Sequence, residues 1–183
     1  EEVGWSSDFQ DILGDDLAST PPRFRTRVKM RWDERWLYVA AELEEPQTWA
    51  NLTRKNSVVF HDDDFEVFVD VDGSTHAYKE FEVNARNTTW DLFLNAPYGF
   101  DGGYENSSRT FGDEGWSMTP PLRSATRVDG GRINRPDFGV TQSWTVEIAL
   151  PVAQLAFNTS RENQKKTSSS PPLSKKKATG MTQ

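Results

Sequence analysis

Apolar and polar residues alternate with a period of two through much of the chain, which is the mark of half-buried β-strands. Thr26 to Trp32 places Thr26, Val28, Met30 and Trp32 on one parity and Arg27, Lys29 and Arg31 on the other. Asp33-Glu34 turns the chain into a second run, Trp36 to Leu43, whose Leu37, Val39, Ala41 and Leu43 face inward. Two such runs joined by so short a turn predict a β-hairpin. Pro46, with no N–H to give a ladder, ends the second strand, and a loop from Glu45 to Ser57 displays Trp49.

Phe60 to Leu94 predicts three more strands. Phe65, Val67, Val69 and Val71 share one parity of the first, while Asp62, Asp64, Glu66, Phe68 and Asp70 share the other. In the second, Phe81, Val83 and Ala85 alternate with Tyr78, Glu80, Glu82 and Asn84. Asp72-Gly73-Ser74 is the turn between them, and Ala85 to Thr88 leads into a third strand, Thr89–Asn95. The polar parity is expected to be the outer, solvated face. It is an unusual one, because like charges on neighbouring strands repel. So many acids and amides on one face point to a function there.

Ala96 to Gly115 reads as a long loop, followed by strands at Leu122 to Val128 and Ser143 to Leu150, the latter with Trp144, Val146, Ile148 and Leu150 on one side. Val152 to Leu155 starts a helical turn. Near the N-terminus, Trp5, Phe9 and Ile12 are expected to plug one end of the fold. Helical periodicity is otherwise absent. The fold class is all-β, an antiparallel β-sandwich in one domain over residues 1–156. Residues 157–183, rich in Ser, Lys and Pro, carry too few apolar groups to offset the entropy of ordering, and are read as a disordered tail.

Charge changes the picture. The chain of 183 residues has a net charge of -7 and a mean hydropathy of -0.73. Six of its 21 basic residues but only one of its 28 acids fall in the tail, so the body carries about -12. Such a body repels nucleic acid and attracts cations or neutral hydroxylated ligands. Seven Trp in so polar a chain suit ring-lined surfaces. The absence of Cys excludes disulfides, thiolate-bound zinc and thiol catalysis, and no apolar run is long enough to span a membrane. Sequons at Asn51, Asn87, Asn106 and Asn158 favour an extracellular or secretory location.

Asp62, Asp63, Asp64, Asp70 and Asp72 offer hard oxygen ligands of the kind calcium takes, although their spacing matches no EF-hand loop. Glu66 and Glu82, on neighbouring strands, fall within the carboxyl separation that glycoside hydrolysis needs, as any acidic sheet would. A haem site would need Met30 with one of two surface histidines, His61 or His76.

Several motifs together carry a resemblance: Asp-Phe-Glu-Val-Phe-Val-Asp at 64–70, Glu-Val-Asn-Ala at 82–85, Trp-Asp at 90–91 and Trp-Thr-Val-Glu-Ile-Ala-Leu-Pro at 144–151. Over about residues 20–155 the chain resembles the carbohydrate-binding module family 9-like domains. The resemblance implies a non-catalytic sandwich that grips sugars, is often attached to polysaccharide-degrading enzymes, and is associated with structural calcium. It places a first aromatic wall on Phe60, an acid on Glu66, and polar contacts on Glu80, Glu82 and Asn84. Glu82 stands where sugar-binding members carry a basic residue, and Phe60 where they carry Trp. The family continues past the Trp-Thr-Val-Glu-Ile strand with further strands and a second wall. Here the basic tail takes their place, so a C-terminally incomplete sandwich with half a clamp is expected.

The residue chemistry agrees with sugar recognition, since rings stack on pyranose C–H faces and carboxylates and amides pair with hydroxyls. Trp49 and Trp116 are candidates for further ring contacts, Trp116 as a wall from the rim of the long loop. Each also has a plainer reading, as packing for the rings and as a solvated, cross-linked face for Glu66, Glu80, Glu82 and Asn84. The expected function is therefore carbohydrate binding without catalysis, within or derived from a longer polysaccharide-active protein. The alternatives are a structural sandwich that has lost its ligand and a domain with weak hydrolysis by Glu66 and Glu82.

Overall fold

The computed structural model describes residues 4–6, 9, 24–98, 103, 105–112, 115–135 and 142–155. The tail at 157–183 and Ile12 lie outside the described residues. Eight strands form two antiparallel four-stranded sheets. The first contains β1 (Thr26–Trp32), β2 (Trp36–Glu44), β8 (Ser143–Pro151) and β7 (Arg123–Asp129), in that spatial order. The second runs β3 (Asp64–Val69), β4 (Tyr78–Asn84), β5 (Thr89–Leu94) and β6 (Glu105–Asn106). A 3-10 turn, Val59–His61, leads into β3. The stretch read as one long loop contains β6 and a single helical turn, α1 (Ser108–Phe111), and α2 (Val152–Leu155) follows β8.

The alternation sets the register and hence the core. Val39, Ala41, Trp144, Val146, Ile148 and Leu150 from the first sheet meet Phe81 and Val83 from the second, with Phe65, Val67 and Val69 packed against them. The hairpin forms as predicted, with Val28 opposite Ala41 and Trp32 opposite Leu37. Its turn is closed by Asp33, whose carboxylate accepts the N–H groups of Arg35 and Trp36 and the hydroxyl of Tyr38. The inward parity of β1 is only half covered, however. Met30 and Trp32 are exposed, at the far end of an edge strand from the Ser6–Val28 hydrogen bonds. Trp5 and Phe9 are exposed as well; Trp5 lies along β1 under Arg27 and Lys29 rather than plugging the core.

The larger departure concerns the second sheet. Its polar face is solvated only along β3, at Glu66 and Phe68. Every residue of β4 from Lys79 to Asn84 is buried, on both sides of the strand. Glu82 lies opposite Trp90 and Glu80 opposite Leu92 in the β4–β5 register, so the face continues on β5 as apolar side chains. Trp90, Leu92 and Leu94 join Val59, with Leu52, Val58 and Tyr78 against them, in a second small core that caps this face. The loop from Leu52 to His61 folds over the sheet. It is tied down where Asn84 donates from Nδ2 to the Leu52 carbonyl (2.9 Å) and Thr88 from Oγ1 to the same oxygen (2.7 Å). On the other side of β5, the buried carboxylate of Asp91 accepts from Lys55 Nζ, Ser117 Oγ and the Met118 N–H, pinning two loops to one strand.

Candidate functional site

The outer face of the second sheet carries the site. Asp64, Glu66 and Phe68 of β3 pair with Asn84, Glu82 and Glu80 of β4, which sets five polar side chains and one ring in two adjacent columns. Strand geometry spaces same-face residues about 7 Å apart along each column. The carboxylates of Asp64, Glu66 and Glu82 converge so that one oxygen from each lies within 4.8 Å of the others. Glu82 is only 1% exposed, Glu80 is buried beside it, and Glu66 opens to solvent.

Electrostatics follow from that crowding. Burial, reinforced by Glu66, Glu80 and Asp63, raises Asp64 to about 7. Burial and neighbouring carboxylates raise Glu80 and Glu82 as well, and burial alone raises Glu66. None of these causes is a cation, and none of the four acids forms an ion pair among the described residues. Asp64 Oδ2 is buried without a hydrogen-bond partner, whereas Glu80 and Glu82 are hydrogen-bonded to each other as a carboxyl pair that shares a proton.

Aromatic side chains rim these acids. Phe60 is 53% exposed and packs one ring face near Trp90, at 6.2 Å between centroids and 32° between planes. Trp90 itself is buried, with the Arg109 guanidinium over its ring at 5.0 Å. Phe68 is exposed and lies 6.3 Å from Tyr78. Tyr98 is exposed, and its hydroxyl is held above its ordinary pKa by burial and by Glu80, Glu105 and Glu82. Phe68 and Tyr98 were not among the ring candidates. Phe68 could have been, because it shares a parity with Glu66. Tyr98 has no periodic signal, since it stands in the loop after β5.

The predicted residues divide. Phe60, Glu66, Glu80 and Glu82 come together on this face. Asn84 shares it but is fully enclosed. Its Nδ2 reaches Leu52 O and Asp62 Oδ2 (2.8 Å), and its Oδ1 accepts the N–H groups of Arg86 and Thr88, so its amide braces the loop. Trp116 does not reach the site. It packs on Phe81 at 6.2 Å, with Lys79 over its ring, on the opposite, core-facing side of the sheet. Trp49 is exposed, but its ring pairs with no described aromatic; its backbone N–H donates to Asp63 Oδ2 at 2.6 Å.

The five aspartates do not act as one group. Asp62 accepts the N–H groups of Asn51 and Leu52, Asp70 those of Gly73 and Thr75, and Asp72 that of Ser74. With Asp63 on Trp49, four of them stabilise turns, and Asp64 alone joins Glu66 and Glu82. Gly73, at φ +68°, is where the Asp70 loop needs a residue without a Cβ. No described helix is long and apolar enough to cross a membrane.

A family model described as carbohydrate family 9 binding domain-like matches residues 5–169. Endo-1,4-beta-xylanase C of Paenibacillus barcinonensis is 33% identical over 70 residues, which are 36% of this chain and 6% of that enzyme. The chain thus spans a small fraction of the curated relative it matches. Among solved structures, a Bacteroides uniformis ATCC 8492 protein described as a candidate carbohydrate-binding protein aligns with a TM-score of 0.55 and 17% identity, over 84% of this chain and 62% of that one. That likeness is one of fold. A carbohydrate binding module family 9 from Caldicellulosiruptor kristjanssonii, solved with cellotriose, aligns at a TM-score of 0.46 and 17% identity, over 85% and 60% of the two chains.

Proposed function

Since the chain belongs to the carbohydrate family 9 binding domain-like family, we propose that it is a non-catalytic module that binds an oligo- or polysaccharide on the outer face of the second sheet. The observation that carries this reading is the exposed Phe60 ring, which lies 6.2 Å from Trp90, itself opposite Glu82 in the sheet row that also holds the open carboxylate of Glu66. A pyranose laid on Phe60 would offer its hydroxyls to Glu66, with the buried Glu82 and Glu80 backing that carboxylate from beneath. Phe68 and Tyr98 supply further apolar surface at the rim. Asn84 positions the loop that carries Phe60 and makes no contact of its own.

The partial match to a xylanase supports a role beside a polysaccharide-degrading catalytic domain in a longer parent protein. Polymers of that kind lie outside the cell, so an extracellular or secretory location goes with the same reading. Calorimetric titration with soluble glucans, xylans and their oligosaccharides tests it. Heat with at least one sugar, lost in Phe60→Ala and Glu66→Ala, is expected; no heat with any sugar would leave a structural sandwich without ligand. The pairing of an exposed Glu66 with a buried Glu82 keeps a second reading in play, because retaining hydrolysis uses two carboxyls about 5–5.5 Å apart in unlike surroundings. Turnover of a chromogenic glycoside, abolished in Glu66→Gln, would favour that one.

A further inference from the structure

We propose that the outer face of the first sheet is a second binding site, for an acidic polysaccharide with carboxylates spaced along a neutral chain. Outward side chains of β1, β2, β8 and β7 meet there in rows: Arg31, Tyr38, Ala149 and Arg123 in one, Lys29, Ala40, Glu147 and Ala125 in the next. They line an open trough of about 540 Å³, within the range of ligand sites, about 300–1,000 Å³. The three alanines are its floor, and the exposed Tyr38 ring stands among them. Lys29 and Arg31 form one bank and Arg123 the other, three strands away, or about 14 Å at the usual strand spacing.

Charge singles this face out. The body of the chain carries about -12, yet Lys29, Arg31 and Arg123 form no ion pair among the described residues. The neighbouring Arg25, Arg27 and Arg127 are taken up by Glu44, Glu42 and Asp129. Glu147 is the one acid among the described lining residues, so three cations against one acid leave the trough net positive. Asp33, in the turn before Tyr38, is occupied by the N–H groups of Arg35 and Trp36 and by the Tyr38 hydroxyl. Rings hold two of the cations without neutralising them. Lys29 Nζ lies 4.5 Å from the Trp5 ring centre, and the Arg123 guanidinium 4.8 Å from that of Trp36. The banks are thus held in place with their charge still open to an anion.

The floor selects the kind of anion. Three alanines leave room for a flat ring against the sheet, and their methyls and the Tyr38 ring offer apolar surface to pyranose C–H faces. β2 and β8 are interior strands whose backbone groups pair with neighbours on both sides, so an extended peptide finds no ladder to join. A densely charged polyanion such as nucleic acid is attracted by the trough but repelled by the acidic body around it. A chain with a carboxylate on some of its sugars matches both the few cations and the apolar floor. The choice of a saccharide rests on the carbohydrate reading above, but the site is separate from Phe60 and Glu66, on the other outer face of the sandwich.

The experiment titrates the full chain with glucuronoxylan and with the same polymer after reduction of its carboxyl groups. The native polymer is expected to bind about tenfold or more tightly, with the gap closing as salt is raised. Arg31→Gln combined with Arg123→Gln, both exposed, should close the gap, and Glu147→Gln, which removes the one negative charge of the trough, should widen it. These opposite signs cannot both come from a loss of folding. Phe60→Ala, on the other face, should leave the preference for the native polymer in place. Equal affinity for the two polymers, or a preference that survives the double variant, overturns the site. Single-stranded DNA bound more tightly than glucuronoxylan at physiological salt also overturns it, in favour of nucleic acid. Neutral sugar bound through Phe60 with no preference for carboxylate removes this site and leaves the module reading standing. A preference lost in the double variant, with no neutral sugar bound, keeps the trough and removes the Phe60 site.

Discussion

Glu66 and Glu82 stand directly opposite one another across the β3–β4 register, like charges on one face of the sheet, one open to solvent and the other enclosed. Cross-strand pairs of like charge destabilise a sheet. With Asp64 and Glu80 alongside, the crowding favours the protonated form of the buried acids near neutral pH.

The first prediction follows from the sign of those shifts. Asp64 is raised to about 7 by burial and its acidic neighbours, and Glu80 and Glu82 are raised by the same causes. The unfolded chain ionises these groups near pH 4. The folded state therefore holds more protons between the two ranges, and stability falls as pH rises through them. Tm should be highest near pH 5 and decline through pH 7 and beyond. Glu82→Gln should flatten that decline. A Tm that rises over the same range would contradict the assignment.

Phe60 is a second test. Its ring is half exposed and rests on Trp90, so truncation removes little core. Phe60→Ala should weaken sugar binding by about tenfold or more, equivalent to ~1.4 kcal/mol, while shifting stability by no more than about 1 kcal/mol. Calorimetry and urea denaturation read the two effects apart.

Asn84 should behave in the opposite way. All four of its side-chain bonds go to the protein, and Asn84→Ala would strand the N–H groups of Arg86 and Thr88. Buried groups left unpaired cost about 1–3 kcal/mol. A loss in that range by urea denaturation is expected, and any fall in sugar affinity should track the unfolded fraction.

Trp116→Ala should lower stability by roughly 3 kcal/mol, the low end for a large aromatic packed on a core, and leave sugar affinity unchanged in the folded protein. Loss of affinity at unchanged stability would instead return Trp116 to the site.

Most of the sandwich was legible in the sequence, because period-two alternation fixes which side chains share a face. The hairpin at 26–44, the strands at 64–94 and the Trp144 strand all fall where that pattern puts them. What it could not reveal is which faces become covered. Glu80, Glu82 and Asn84 read as solvated, yet Val59, Trp90 and Leu92 close over them, and that cover depends on a loop held through Asn84 and Asp62. Trp116 failed for a related reason. It follows a long irregular stretch with no periodicity to assign it a side, and tertiary packing put it under Phe81. Met30 erred the other way, as parity marks the side of a strand but not whether anything lies above it.

β3 is also the outer edge of its sheet, with its remaining N–H and C=O groups unpaired by any described strand. An open edge invites a second copy to add a strand. Along this one, Asp64 and Glu66 project from one face, and the Asp70 loop follows immediately. Any two such edges brought together would set carboxylate against carboxylate. The same charge thus opposes edge-to-edge pairing, so substitutions that neutralise this face should be watched for aggregation before they are judged by affinity.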